Sequence, residues 1–207
     1  MNKNNLNKSE GMYIVVSAPS GTGKTSILRE VLKTCPNMLF SVSYTTRAPR
    51  QGEEDGKDYY FVSEEAFRDS ISRGEFAEWE ENYGCLYGTS TKTMKTFLEK
   101  GFDLILDLDS RGAKTLKKNY PGGVLVFILP PSIGELKKRL KRRGFESEQT
   151  VNKRMDKAID EIGEIIWYDY VIINDKIETA IDVLRSIYVA EKSRRERLVN
   201  KINDFIA

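Results

Sequence analysis

Ser17-Ala18-Pro19-Ser20-Gly21-Thr22-Gly23-Lys24-Thr25 is the stretch on which the fold of this chain depends. An apolar run over residues 12–16 precedes it, and the length and composition of that run predict a fully buried strand. The segment behind it is predicted as a helix with one apolar face, which comprises Ile27, Leu28, Val31 and Leu32. Strand, glycine-rich turn, Gly-Lys-Thr and helix, in this order, are the context that makes a phosphate-binding loop credible. We therefore predict that residues 17–25, the phosphate loop, bind phosphate groups.

The residue types in the phosphate loop suit this chemistry. Gly21 and Gly23 let the backbone curl so that N–H groups face phosphate oxygens, at a helix N-terminus whose dipole attracts anions. Lys24 supplies a cation for the β- and γ-phosphates, and the Thr25 hydroxyl is a ligand for Mg²⁺. Ala18 replaces the first glycine of G-x-x-x-x-G-K-[ST], which is acceptable if its φ is negative. The alternative is a glycine-rich turn with an exposed lysine, which the flanking strand and helix disfavour.

Composition narrows the class of protein. The chain has 207 residues and a net charge of +2, which allows one substantial core and requires neither a nucleic-acid nor a membrane partner. It has no histidine, which excludes a Ser-His-Asp triad and a His-ligated zinc site. Cys35 and Cys85 lack metal-type spacing and are expected to be reduced thiols. Residues 1–11 lack the apolar region of a signal peptide and no run reaches membrane-spanning length, so we expect a cytoplasmic protein.

Residues 43–90 are predicted to form a small, mostly β insertion. Strands are expected over residues 40–44 and 56–62, and Ser63 is the expected N-cap of a helix. Arg47 and Arg50 flank Ala-Pro, and paired guanidinium groups suit a doubly charged phosphate. A solvated basic loop is an equally ordinary interpretation. Taken singly, Glu78 and Tyr87 would be a surface carboxylate and a packing aromatic.

Acidic side chains end a second buried strand, predicted over residues 102–109. Because ligands bind at the carboxyl ends of strands in open α/β sheets, Asp107 or Asp109 could hold the Mg²⁺ shell. Asp109 could equally cap the helix predicted from Arg111 onward. Both roles could hold, one for each carboxylate.

The second half of the chain continues the strand and helix alternation. A central strand is predicted over residues 124–129, and the last strand, residues 169–175, ends in polar groups. Between them lie a helix capped by Ser132, a basic run over residues 137–143 and a helix that starts at Glu148. Helix, glycine turn and helix with arginines on both arms suggest a lid, although a solvated basic face is common for such runs.

Together these motifs resemble the guanylate kinase family over nearly the whole chain. A phosphate loop alone identifies only a superfamily, whereas the block from Thr45-Thr46-Arg47 through Pro49-Arg50 to Gly52-Glu53 is far more specific. Further matching pieces are Ser43-Tyr44, Gly56-Lys57-Asp58-Tyr59, Tyr87-Gly88-Thr89-Ser90, Asp107-Leu108-Asp109, Arg139 to Gly144, Arg154 and Asn174-Asp175.

The resemblance implies a fold, a set of domains and a reaction. The fold is α/β, with a three-layer P-loop core around a parallel sheet, a mostly β GMP-binding insertion and a helical lid. The core would comprise residues 1–42, 91–133 and 155–207, the insertion residues 43–90 and the lid residues 134–154. The implied reaction is ATP + GMP to ADP + GDP, also with dGMP, in purine nucleotide metabolism. The partners would be ATP, GMP and Mg²⁺, and a homo-oligomer is left open.

The resemblance also assigns site residues. The ATP site would comprise Ala18, Pro19, Ser20, Gly21, Thr22, Gly23, Lys24, Thr25, Arg139 and Asn174. The GMP site would comprise Ser43, Arg47, Arg50, Tyr59, Glu78, Tyr87, Gly88, Thr89, Asp107 and Asp109. Within it, guanine would face Ser43, Glu78 and Thr89, and the GMP phosphate would face Arg47, Arg50, Tyr59 and Tyr87. The catalytic residues would be Lys24, Arg50, Arg143 and Arg154, and the metal ligands Thr25 and Asp107.

One departure and two rivals accompany this interpretation. Arg111 stands where the resemblance leads us to expect glutamine, and its role is open. A kinase-like domain that only binds proteins should have an eroded phosphate loop, whereas Lys24 and Thr25 are present. A kinase for another phosphorylated acceptor, such as a ribose bisphosphate, would have no use for the base-reading Glu78.

Overall fold

The computed structural model describes residues 10–142 and 148–206 of the chain. Their strands are β1 (Tyr13–Ser17), β2 (Met38–Phe40), β3 (Tyr44–Thr45), β4 (Tyr60–Phe61), β5 (Phe76–Asn82), β6 (Cys85–Ser90), β7 (Asp103–Asp107), β8 (Val124–Leu129) and β9 (Tyr170–Ile173). Their helices are α1 (Lys24–Thr34), α2 (Glu64–Ser72), α3 (Thr91–Glu99), α4 (Ser110–Asn119), α5 (Ile133–Arg142), α6 (Glu148–Gly163), α7 (Ile177–Lys192) and α8 (Arg195–Ile206). A 3-10 turn at Glu164–Trp167 follows α6.

A five-stranded parallel sheet forms the core, in the order β2-β7-β1-β8-β9. All five residues of the central strand β1 are buried, as its apolar sequence predicts. Ile14 and Val16 pack with α1 and α7 on one face, while Tyr13 and Val15 pack with α3 and α4 on the other. Two helical layers thus enclose the sheet, and the predicted α/β class with a three-layer core is confirmed.

The insertion has a sheet of its own, in the order β4-β3-β6-β5, with α2 between β4 and β5. The predicted strand over residues 40–44 is wrong as a single unit, because β2 belongs to the core sheet and β3 to the insertion. The predicted strand over residues 56–62 is also too long, and only Tyr60–Phe61 pairs as β4. Asp58 and Asp55 accept hydrogen bonds from the backbone N–H groups of Glu54 and Phe61, which folds the preceding residues into a turn.

Helices α5 and α6 pack on each other, and α5 lies against the phosphate loop at Gly21. Their contact buries Leu136 and Leu140 of α5 and Val151, Met155 and Ala158 of α6. Helix α6 runs without a break from Glu148 to Gly163, so it passes the residue at which the lid was expected to end. The domain limits remain a prediction.

A buried carboxylate joins α7 to the core sheet. Asp103 is fully buried at the start of β7 and accepts hydrogen bonds from the Met12 N–H at 2.8 Å and the Tyr188 hydroxyl at 2.6 Å. The Lys192 ammonium lies 2.8 Å from the same carboxylate. Asp103 therefore joins β1, β7 and α7.

Two further findings concern the helices and the cysteines. Among residues 10–142 and 148–206, we find no helix with both the length and the apolar character needed to cross a bilayer. Cys35 is buried and Cys85 is half-buried, and both thiols are free.

Candidate active site

A cleft of about 340 Å³ opens between the phosphate loop, the insertion and α6. The predicted site residues that line it are Ala18, Pro19, Ser20, Gly21, Thr22, Gly23, Lys24, Thr25, Ser43, Arg50, Tyr59, Glu78, Tyr87, Gly88, Asp107, Asp109 and Arg154. The structure therefore brings residues from distant parts of the sequence to one cavity.

The phosphate loop is held open by its glycines and by a buried amide behind it. Gly21 and Gly23 have φ values of +93° and +92°, which side chains with a Cβ rarely adopt. The amide of Asn174 donates a 2.6 Å hydrogen bond to the carbonyl of Thr22, and a Cβ on Gly23 would lie 2.8 Å from the same amide nitrogen. Ala18 has no positive φ, so alanine fits where the motif has glycine.

Lys24 and Asp107 meet at the carboxyl ends of β1 and β7. The parallel register pairs Val16 with Asp107, one residue before the phosphate loop begins, and the Lys24 ammonium contacts the Asp107 carboxylate. Asp109, two residues on, caps α4 by accepting a 3.0 Å hydrogen bond from the Gly112 N–H. Asp109 thus has the capping role and still lines the cleft.

The donor set beside the phosphate loop fits Mg²⁺. Thr25 is an exposed residue in the first turn of α1, and Asp107 lines the same cleft. Mg²⁺ prefers hard oxygen ligands and is usually bound by one or two side chains together with substrate phosphates. Within the described part of the chain we find no group of three or more His, Cys, Asp or Glu residues that could hold a metal ion.

Glu78 is a buried carboxylate on the insertion side of the cleft, only 4% exposed. The Thr89 hydroxyl donates a 2.5 Å hydrogen bond to its Oε1. Burial raises the pKa of Glu78 to about 7, and the nearby Asp109 and Glu80 carboxylates act in the same direction, whereas the Thr89 bond lowers it. A Cβ on Gly112 would lie 2.7 Å from Oε2, so the carboxylate occupies space that only glycine leaves free.

The residues of the insertion that are predicted to bind phosphate are two arginines and two tyrosines, of which Arg50, Tyr59 and Tyr87 line the cleft. Arg47 forms a two-pronged ion pair with Glu53, at 2.8 and 2.9 Å, and lies 5.3 Å from the centre of the Tyr59 ring. Arg50 is exposed and lines the cleft. Burial raises the pKa of Tyr59 to about 12, aided by the Asp107 carboxylate, so its hydroxyl remains a hydrogen-bond donor. The Tyr87 ring packs edge-on against that of Tyr59, with 5.9 Å between ring centres.

The remaining predicted residues differ in where they lie relative to the cleft. Arg154 of α6 lines the cleft. Arg139 lies away from the cleft wall, with Nη1 3.3 Å from the Asn174 carbonyl and Nε 3.1 Å from Glu135. Thr89 and Asn174 are buried behind the cleft wall. Arg143 lies outside the described residues.

Sequence reasoning missed six residues of the cleft wall, namely Glu80, Asn82, Tyr83, Leu108, Lys157 and Glu161. Lys157 and Glu161 follow Arg154 at helical spacings of three and seven, a signal that was present in the sequence. Asn82 ends β5 and Tyr83 follows it, and nothing in the local sequence distinguishes them. Arg111, whose role was open, donates a 2.7 Å hydrogen bond to the Glu81 carbonyl and so joins α4 to β5.

Comparisons with known proteins agree with this geometry. A model of the guanylate kinase family matches residues 10–191. The guanylate kinase of Syntrophus aciditrophicus is 60% identical over 195 residues, covering 94% of each chain. That of Geobacter metallireducens is 48% identical over 197 residues, covering 95% of this chain and 97% of the other. The crystal structure of guanylate kinase from Anaplasma phagocytophilum matches with a TM-score of 0.77 at 36% identity, covering 92% of this chain and 90% of the other. These findings confirm the resemblance seen in the motifs, and this chain belongs to the guanylate kinase family.

Proposed function

We propose that this chain transfers the terminal phosphoryl group of ATP to GMP, giving ADP and GDP, and that it accepts dGMP in the same way. The observation that carries the proposal is a single cleft with a phosphate loop on one wall and the buried carboxylate Glu78 on the other. The phosphate loop suits a nucleoside triphosphate, and the Glu78 carboxylate suits a base that donates two hydrogen bonds. Family membership and the relatives' shared activity support the same assignment.

Phosphoryl transfer needs positioning and charge neutralisation more than it needs a base. The accepting oxygen of GMP is already anionic, which agrees with a chain that has no histidine. Lys24 and the N–H groups of the phosphate loop neutralise the transferring phosphoryl group, with Arg154, and Arg143 in the undescribed segment, as further cations. Arg50, Tyr59 and Tyr87 hold the GMP phosphate, and Arg47 supports them from its ion pair with Glu53.

Mg²⁺ accompanies ATP in this proposal, with Thr25 and Asp107 as its protein ligands. When bound, the ion neutralises charge on the phosphates and orients them. Reduced cysteines agree with a place in cytoplasmic purine nucleotide metabolism.

Base selection is assigned to Glu78 together with Ser43 and Thr89. Guanine presents the N1–H and the exocyclic amino group side by side, two donors that one carboxylate can accept together. Adenine has an acceptor at N1 and no amino group at C2, so a buried carboxylate would lose both bonds. Because an unpaired buried charge is costly, the site should reject AMP.

A coupled ADP-release assay with GMP, dGMP, AMP, UMP and ribose phosphates tests the proposed function. We expect turnover with GMP and dGMP and little with the other acceptors. Turnover with a ribose phosphate in preference to GMP would indicate the other kinase class. No turnover with any acceptor would favour a domain that only binds proteins.

Glu78→Gln tests the assignment of base selection. Glutamine keeps the size of the side chain but replaces one acceptor with a donor, which opposes a guanine donor. The ratio of kcat/KM for GMP to that for AMP should fall by about tenfold or more. A ratio within about twofold of the wild-type value would move base selection to other residues.

A further inference from the structure

Lys157 joins α6 to the tip of the β5–β6 hairpin across the mouth of the cleft. Its ammonium donates a 2.7 Å hydrogen bond to Asn82 Oδ1, between residues that are 75 positions apart in the sequence. The same ammonium lies 4.6 Å from the centre of the Tyr83 ring, within the range of a cation–π interaction. All three residues line the cleft.

The two faces of α6 have different surroundings. Val151, Met155 and Ala158 are buried against α5, which holds this helix in one rotation about its axis. Arg154 and Lys157 lie one turn apart and both line the cleft. Any shift of Lys157 relative to the insertion therefore moves Arg154 as well.

The hairpin keeps a bulky side chain where the backbone disfavours it. Tyr83 has a φ of +52°, the only positive φ among the non-glycine residues that the structure describes. Gly84 follows with a φ of +73°, so the two residues form a tight turn that normally favours asparagine and glycine. A tyrosine in this conformation is energetically unfavourable. The ring that the turn presents is the one that Lys157 contacts.

The hairpin also leads into the proposed guanine site. Strand β5 carries Glu78, and β6 carries Tyr87 and Thr89, so the position of the hairpin is coupled to that of the acceptor nucleotide. Helix α6 carries Arg154, which is proposed to act on the transferring phosphoryl group. Lys157 provides a direct hydrogen bond between these two elements.

We propose that Lys157 is a positioning residue, which binds Asn82 and Tyr83 and thereby holds Arg154 at the correct distance from the acceptor nucleotide. This inference rests on the proposed function. Lys157 touches neither reacting phosphate in this scheme, so its effect on the rate passes through Arg154. Small displacements of a catalytic group lower rates steeply, which makes such a contact consequential.

Lys157→Met is the first test, because methionine keeps the apolar stem but removes the charge and the donor. We expect kcat with GMP to fall about tenfold, with the dissociation constants of ATP and GMP within about twofold of the wild-type values. Lys157→Arg keeps a cation and a donor and should recover most of the rate. Lys153→Met, one turn earlier on an exposed position of α6, is the matched control and should leave kcat and Tm unchanged.

The double variant Arg154→Ala with Lys157→Met separates positioning from a purely structural role. If Lys157 acts through Arg154, its removal should have little further effect once the arginine is gone, so the two losses should not add. Additive losses, or a fall in Tm that accounts for the lost rate, would overturn the proposal. A second variant, Tyr83→Gly, suits the backbone of the turn and should fold, and it should lower kcat in the same direction.

Wild-type turnover with GMP is measured in the same series. An inactive wild type would contradict the proposed function, whereas an active wild type with an unimpaired Lys157→Met variant would contradict this inference alone.

Discussion

At the scale of the residue, the role proposed for Glu78 in binding guanine conflicts with stability. The carboxylate is buried beside Asp109 and Glu80, and these neighbours and its burial favour the neutral form. Recognition of two guanine donors needs the ionised form. Groups with such opposed requirements are characteristic of functional sites, since stability alone would favour a neutral side chain.

We predict that Glu78→Gln stabilises the nucleotide-free protein, and more at high pH than at low pH. The folded-state pKa is about 7 against a reference value of 4.5, so ionisation is harder in the folded state. The contribution of Glu78 to stability is therefore fully present below pH 4.5 and is lost as the pH rises through about 7. This loss in the free energy of unfolding is on the order of 3 kcal/mol. The glutamine variant does not ionise and therefore does not have it.

Thermal unfolding at about pH 5 and pH 8 checks this prediction. The gain in Tm of the variant over the wild type should be larger at the higher pH. Glu81→Gln, a change at an exposed neighbour on the same strand, should show the same small difference at both values. An equal gain at both pH values for Glu78→Gln would contradict the role of burial.

The residue types of the site were largely predictable, whereas their surroundings were not. Gly21, Gly23, Lys24 and Thr25 follow one another in the sequence, so local chemistry was enough to assign them. The space that Gly112 leaves for Glu78 is created by α4 and β5 meeting in three dimensions. No spacing within either segment indicates that contact.

At the scale of the element, Asp103 forms a polar contact that joins α7 to the core sheet. It is fully buried and accepts from a backbone N–H, a tyrosine hydroxyl and a lysine ammonium. Removing the carboxylate would leave Tyr188 and Lys192 of α7 without their shared acceptor. Breaking a buried charged network in this way is strongly destabilising.

Asp103→Ala should therefore lower the free energy of unfolding by about 3 kcal/mol or more. Asp182→Ala is the matched control, because Asp182 lies on α7 in an exposed ion pair, 3.6 Å from Arg185. Its loss should cost less than about 1 kcal/mol. Chemical denaturation measures the free energy of unfolding of both variants. Equal losses would show that the Asp103 carboxylate does not stabilise the contact between α7 and the sheet.

The strands were predicted well where full burial gives a continuous apolar run. Strands β1 and β8 are continuous apolar runs between turn signals, and the sequence places them almost to the residue. The error at β4 arose because Asp55 and Asp58 bind nearby backbone N–H groups and compete with strand pairing. Such local hydrogen bonds depend on the direction of the side chains, which the pattern of apolar residues in the sequence does not indicate.

At the scale of the whole molecule, the cleft has walls from three parts that are separate in the sequence. The core contributes the phosphate loop, the insertion contributes Glu78 and Tyr87, and α6 contributes Arg154 and Lys157. Two bound nucleotides would contact all three walls at once. A reaction that must avoid hydrolysis of ATP also has to exclude water from between them.

We predict that ATP and GMP together draw these walls closer and slow hydrogen exchange in α5, α6 and the β5–β6 hairpin. A non-hydrolysable ATP analogue with GMP should slow exchange there by about tenfold, because opening must then break contacts to both nucleotides. The amides of β1 are the internal control, since this strand is fully buried in the core sheet and should exchange slowly with or without ligand. GMP alone should protect the hairpin more than α6, because Glu78 and Tyr87 belong to the insertion. Identical exchange of α6 in the free and the doubly bound protein would contradict closure of the cleft.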